Sequence, residues 1–201
     1  MDRIVVAGIG TNVGKTVVSA ILVHQFQGNY WKPIQTGIEY PDAQEVARLV
    51  DPEKHHIFPS AYSLREPVSP HHAARLEDVE IDPMLSPPQS DRPLVIEMVG
   101  GIYVPLSNKT LSLELFRSWD ARWVVVSRHY IGSINHTLLT LETLKAWNVP
   151  VMGIVFNGVS NPDTENVILS FSKLPLLGHL LPEKEISPKQ IKRYAELWKR
   201  S

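Results

Sequence analysis

A short apolar run, Ile4-Val5-Val6-Ala7, leads directly into Gly8-Ile9-Gly10-Thr11-Asn12-Val13-Gly14-Lys15-Thr16, and that loop passes without a break into a helical pattern. No other feature constrains the chain as much. Glycines let consecutive N–H groups curl around an anion, and the helix N-terminus adds its dipole. Lys15 brings a point charge for outer phosphates, and Thr16 a hydroxyl for a magnesium ion. Gly14-Lys15-Thr16 fits the end of a G-x-x-x-x-G-K-[ST] phosphate loop, although the outer glycines are Gly8 and Gly10 where strict spacing asks for one at Ile9. A plain structural turn has no need of lysine and threonine at the helix start, so a nucleoside triphosphate site is the sharper reading.

Around this loop, short β-branched runs alternate with helical periodicity. Buried strands are expected at Leu94–Ile96, Trp123–Val126, Val151–Phe156 and, more weakly, Leu176–Gly178, with a short one at Tyr30-Trp31-Lys32. Helices are expected over Lys15–Phe26, over Ser133–Trp147 behind a serine cap, and after Ser187-Pro188. The alternation predicts one domain over residues 1–201 with a P-loop NTPase-like α/β fold, a mostly parallel β-sheet with helices on both faces. Of the 16 prolines, seven fall between residues 59 and 93 (Pro59, Pro67, Pro70, Pro83, Pro87, Pro88 and Pro93). That stretch reads as an irregular or short-helix excursion, since proline removes a backbone donor and restrains its predecessor.

Composition excludes several classes. There is no cysteine, hence no disulfide framework and no thiolate metal site. No apolar run approaches the ~20 residues that span a bilayer, so a cytoplasmic protein with no membrane partner is expected. A formal net charge of −1 gives no electrostatic footprint for nucleic acid. The basic residues Lys189, Lys192, Arg193, Lys199 and Arg200 read as the solvated face of an amphipathic helix. The eight histidines form no recognisable ligand set and are expected to be at the surface or hydrogen-bonded.

Other polar residues stand at strand ends. Lys32, followed by Pro33, reads equally well as an edge lysine reaching water and as a second cation beside the phosphate loop. Asp42, with Glu45 three residues on, reads by pattern as a capping box. Glu97 leaves a buried strand on the phosphate-loop side, where a carboxylate suits a metal contact. Asn157 closes another strand and could read a base edge or end it in a turn.

Taken together, these segments resemble the dethiobiotin synthetases. The resemblance rests on Val13-Gly14-Lys15-Thr16, Lys32-Pro33-Ile34-Gln35-Thr36-Gly37, Pro67-Val68-Ser69-Pro70-His71, Ile96-Glu97 with Gly100-Gly101, Val104-Pro105-Leu106-Ser107, Gly132-Ser133-Ile134-Asn135-His136, and Asn157, in the family's order. It implies a homodimeric ligase that closes a ureido ring on 7,8-diaminopelargonic acid using CO₂ or bicarbonate and ATP. Lys15, Lys32 and Thr11 would be catalytic. Asn12, Val13, Gly14, Lys15, Thr16, Val17 and Asn157 would hold ATP, with Asn157 at the adenine. Thr16, Asp42 and Glu97 would hold Mg²⁺, which shifts Asp42 from cap to metal contact. Lys32, Thr36 and the helix start Gly132, Ser133, Ile134 and Asn135 would hold the substrate. Three departures from the family pattern stand out: Ile9-Gly10 in the loop, Met98-Val99 where added bulk would flank the substrate pocket, and Tyr130 where a lysine is usual. The alternatives are a dimeric ATPase switch of the partition type, which gives no reason for the Lys32–Gly37 segment, and a glutamine-using amidoligase, which would need a partner chain.

Overall fold

The computed structural model describes residues 2–199. In chain order its elements are β1 (Arg3–Gly8), α1 (Lys15–Phe26), β2 (Asn29–Trp31), β3 (Ile34–Thr36), α2 (Asp42–Leu49), β4 (Ile57–Phe58), β5 (Tyr62–Leu64), α3 (Pro70–Leu76), β6 (Leu94–Glu97), α4 (Ser112–Arg117), β7 (Arg122–Arg128), α5 (Ser133–Ala146), β8 (Val151–Asn157), α6 (Pro162–Ser172), β9 (Leu176–Leu180) and α7 (Pro188–Trp198). Seven strands form one sheet in the order β4-β2-β6-β1-β7-β8-β9, and every pairing is parallel. β3 and β5 form a separate parallel pair.

Because side chains alternate across a strand, β1 feeds two cores. Ile4 and Val6 join Ile21, Tyr30, Leu49, Tyr194 and Trp198 under α1, α2 and α7. Val5 and Ala7 join Phe116, Trp123, Leu144, Phe156 and Ile168 under α4, α5 and α6. Burial on both faces explains why the strands read as unbroken apolar runs rather than alternating ones. The chain leaves β1 for strands on one side of it and returns through β6, then continues through β7 on the other side. The reversal opens a crevice at the C-terminal end of β1, where the glycine-rich loop lies.

Several expectations need adjusting. The helix after Gly132 has that glycine as its cap, with φ at 95°, and Ser133 is a buried residue inside the first turn rather than the cap. β2 ends at Trp31, leaving Lys32 just beyond it. The last helix opens at Ser187-Pro188 as the pattern predicts, with Ile191, Tyr194, Ala195 and Trp198 inward and Lys189, Lys192, Arg193 and Lys199 in solvent. Arg200 lies outside the described residues. The proline-rich stretch holds only β5 and the seven-residue α3 as regular structure. Among the described residues no helix is long and apolar enough to cross a membrane.

Candidate active site

The loop is shaped by backbone requirements. Gly14 has φ at 97°, and a Cβ there would fall 2.4 Å from Asn157 Nδ2, so only glycine fits. The first intrahelical bond runs from Val18 N to Gly14 O at 3.1 Å, which leaves the N–H groups of Lys15, Thr16 and Val17 without helical acceptors and available to an anion. Lys15 curls back so that Nζ donates to Gly10 O at 2.8 Å. It is 6% exposed, and burial pushes its pKa down to about 8; the nearby Lys32 adds to this, while Glu97 and Asp42 oppose it.

Beside Lys15 lies a buried polar cluster. β2 and β6 run in parallel register, Tyr30 opposite Val95 and Trp31 opposite Ile96, which carries Lys32 and Glu97 to the same end of the sheet. Glu97 is 1% exposed and accepts three hydrogen bonds: Lys32 Nζ and Thr16 Oγ1 reach Oε1 at 3.0 Å each, and Tyr30 Oη reaches Oε2 at 2.8 Å. Asp42 completes the set. Its Oδ2 pairs closely with Lys32 Nζ, and its Oδ1 lies 2.9 Å from Thr16 Oγ1. Burial opposes the charge on Lys32, but Glu97 and Asp42 more than offset it, and its pKa is raised above the usual lysine value. Lys32 is therefore a buried, ion-paired cation and not an edge lysine reaching water.

Asp42 also departs from its pattern. The cap of α2 is Pro41, Asp42 is the first helical residue, and no side chain of the helix's own caps it. The Asp42 N–H is instead met by Gln35 Oε1 at 3.1 Å, so its carboxylate is free to face Lys32 and Thr16. Gln35 has no role in the sequence reading beyond its place in the Lys32–Gly37 segment.

These groups floor a cleft of about 840 Å³ lined also by Thr11, Asn12, Thr36, Gly37, Arg65, Val99 and Gly100. The β3–β5 pair builds one wall, where Gly37 N donates to Leu64 O at 2.9 Å. Of the proline-rich stretch, only Arg65 and Pro67 reach the cleft. Met98 does not add bulk there, because it is fully buried in the core, whereas Val99 does line the cleft. Gly132–Asn135 and Asn157 do not line it. Asn157 Nδ2 donates to Val13 O at 2.8 Å behind the loop, and Tyr130 lies on the surface with Oη 2.8 Å from His136 Nδ1.

Thr16 Oγ1, Asp42 Oδ1 and Glu97 Oε1 are hard oxygen donors gathered at one point. Two carboxylates and a hydroxyl suit magnesium, which shares its remaining positions with phosphate and water. Among the described residues no three His, Cys, Asp or Glu side chains cluster so as to hold a metal by themselves.

Residues 2–190 match the sequence profile of an AAA domain. The chain is 43% identical over 191 residues to an ATP-dependent dethiobiotin synthetase of Agrobacterium fabrum, covering 94% of this chain and 90% of that protein. It is also 43% identical over 201 residues to the enzyme of that name from Chlamydia pneumoniae, covering 99% and 90%. Among solved structures, the cell division ATPase MinD of Pyrococcus furiosus superposes with a TM-score of 0.60 at 17% identity, covering 100% of this chain and 99% of that one. At that identity the likeness speaks for the fold alone.

Proposed function

The chain belongs to the ATP-dependent dethiobiotin synthetase family, and from that premise we propose that its cleft carries out carbamate phosphorylation and ring closure on 7,8-diaminopelargonate. One substrate amine adds to CO₂, losing a proton to give a carbamate. A carbamate oxygen attacks the γ-phosphorus of ATP and releases ADP. The second amine then attacks the carbonyl carbon of the mixed anhydride, closing the ureido ring and expelling phosphate.

Each step asks for something the chain supplies. The N–H groups of Lys15, Thr16 and Val17 and the Lys15 ammonium cradle the phosphates, with Asn12, Val13 and Gly14 shaping the loop around them. Lys32, kept charged by Glu97 and Asp42, neutralises the carbamate and the oxygens of the transferring phosphoryl group. Thr11 and Thr36, both lining the cleft, donate hydroxyl hydrogen bonds to phosphate or carbamate. Thr16, Asp42 and Glu97 would hold Mg²⁺, which would supply positive charge to offset that of the phosphates. Gly132–Asn135, where the Ile134 and Asn135 N–H groups lack helical acceptors while Ser133 N donates to Tyr130 O at 3.0 Å, receive the distant carboxylate of the substrate, and Asn157 contacts adenine. The chain acts as a homodimer. In support, the exposed Tyr130, Ile131 and Ile134 beside that helix start offer apolar surface for a second copy.

The observation that carries this reading beyond ATP hydrolysis is Lys32, a second buried lysine across the cleft floor from Lys15. A partition-type switch would offer it the ATP phosphates alone and no carbamate. The deciding experiment incubates the protein with diaminopelargonate, bicarbonate, ATP and magnesium and measures dethiobiotin and ADP. Equal amounts of both, only when all substrates are present, are expected. Hydrolysis of ATP indifferent to diaminopelargonate and bicarbonate would favour the switch.

A further inference from the structure

The Glu97 carboxylate and the backbone N–H of Asp42 are each held by a side chain outside the proposed set of catalytic and ligand-binding residues. Tyr30 has no solvent exposure and does not line the cleft, yet its hydroxyl donates to Glu97 Oε2 at 2.8 Å. It sits two residues before Lys32 on β2, on the face packed beneath α1.

Gln35 lines the cleft, but its hydrogen-bonding groups are engaged within the protein. Nε2 donates to Thr36 O and Gly37 O at 3.0 Å each, using both of its N–H groups, while Oε1 accepts from Asp42 N. With 6% exposure and no donor to spare, it fixes the path from β3 to α2 rather than contacting a ligand.

We propose that Tyr30 and Gln35 are positioning residues that orient Glu97 and Asp42 so that Glu97 Oε1 and Asp42 Oδ1 both face the Thr16 hydroxyl. The proposal rests on the nucleotide-and-magnesium reading of the loop, and does not depend on diaminopelargonate being the substrate. Removing the Tyr30 hydroxyl leaves Glu97 Oε2 buried without a donor, and the carboxylate can then swivel. Removing the Gln35 carboxamide frees the Asp42 N–H and loosens the turn that carries Asp42.

The test is calorimetric, on full-length Tyr30→Phe and Gln35→Met, two replacements close to the original shapes. A nonhydrolysable ATP analogue is titrated with and without magnesium, and the melting temperature is recorded alongside. In the parent protein magnesium tightens analogue binding. In each variant that tightening is expected to shrink about tenfold, while metal-free affinity changes less than threefold. A lowered melting temperature with the magnesium-linked gain intact in both variants would reduce the two residues to structural support and overturn the proposal. If Tyr30→Phe does not fold, Gln35→Met decides alone. Dethiobiotin formation, assayed separately on the parent, tests the substrate assignment whatever the outcome here.

Discussion

The sheet carries two buried clusters of ionisable side chains, and only one has the makings of an active site. At the C-terminal ends of β7, β8 and β9, Glu165 Oε1 lies 2.9 Å from His129 Nε2 and accepts from Asn161 N, while Oε2 lies 2.8 Å from His179 Nε2. The Phe156 ring sits between the two imidazoles, with centroid distances of 5.4 and 5.8 Å. None of the three lines the cleft. Burial raises the Glu165 pKa, but the Asn161 N–H and the two histidines more than compensate, and it ends below the usual carboxylate value. This cluster ties α6 to the strand ends, with both Glu165 oxygens met from within the protein while His129 Nδ1 has no hydrogen-bond partner among the described residues. The cluster around Lys15 and Lys32 faces an open cleft beside free helix-start N–H groups, and it holds a lysine whose charge is strained by burial. Titratable groups brought together do not by themselves make a site; an unmet demand for an anion does.

Substitutions at the two clusters should separate them most widely in turnover. Lys32→Ala should lower it by on the order of 10²–10³, the loss typical of one removed transition-state donor, while nucleotide binding persists. Glu165→Gln should leave turnover within about threefold. Comparable losses in the two variants, measured by steady-state kinetics, would erase the distinction.

The next largest contrast is in stability. Lys15→Met should abolish tight nucleotide binding yet stabilise the nucleotide- and metal-free protein by on the order of 2–3 kcal/mol near neutral pH, because it removes a buried charge. Between about 8 and the ordinary value of 10.5, the unfolded chain keeps a proton on Lys15 that the native protein has lost. Parent stability therefore rises with pH there, and the advantage of the variant fades. Denaturant melts across that range give the slope. A parent more stable than Lys15→Met at pH 7 would contradict the assigned strain.

The smallest expected effect has the opposite pH sense. Glu165 has a depressed folded-state pKa, so its contribution is present above the ordinary carboxylate value of 4.5 and is lost as pH falls through the folded value. Glu165→Gln should lower the melting temperature at neutral pH by a few degrees, and the gap to the parent should close in acid. A constant gap down to the acid limit would show that Glu165 acts through packing rather than charge.

Much of the frame was legible because the sheet is buried on both faces, which writes strands as apolar runs and sets the loop between β1 and α1 in plain view. α6 was missed although Asn161-Pro162 repeats the Ser187-Pro188 signature, and Asn161 Oδ1 does accept from Thr164 N at 3.1 Å. β4 and β5 have two and three residues, too few for periodicity to register. In the site, Lys15, Thr16 and Glu97 were readable from their places at element ends. Asp42 departs from its local pattern because Gln35, seven residues upstream, takes over the capping bond. Tyr30 looked like any aromatic in a strand; its two-residue spacing from Lys32 was the one signal that it shares the lysine's face. Local pattern reports on helices and strands, and contacts between segments far apart in sequence remain silent in it.

The central claim is that the two-lysine cleft phosphorylates a carbamate, and oxygen transfer tests it directly. With CO₂ labelled with oxygen-18, and carbonic anhydrase absent so that exchange with water is slow, the carbamate oxygen that attacks ATP leaves with the phosphate. The account predicts one labelled oxygen in each phosphate released and one in the ureido carbonyl of the product. Phosphate that carries its new oxygen from water instead would identify hydrolysis and contradict it.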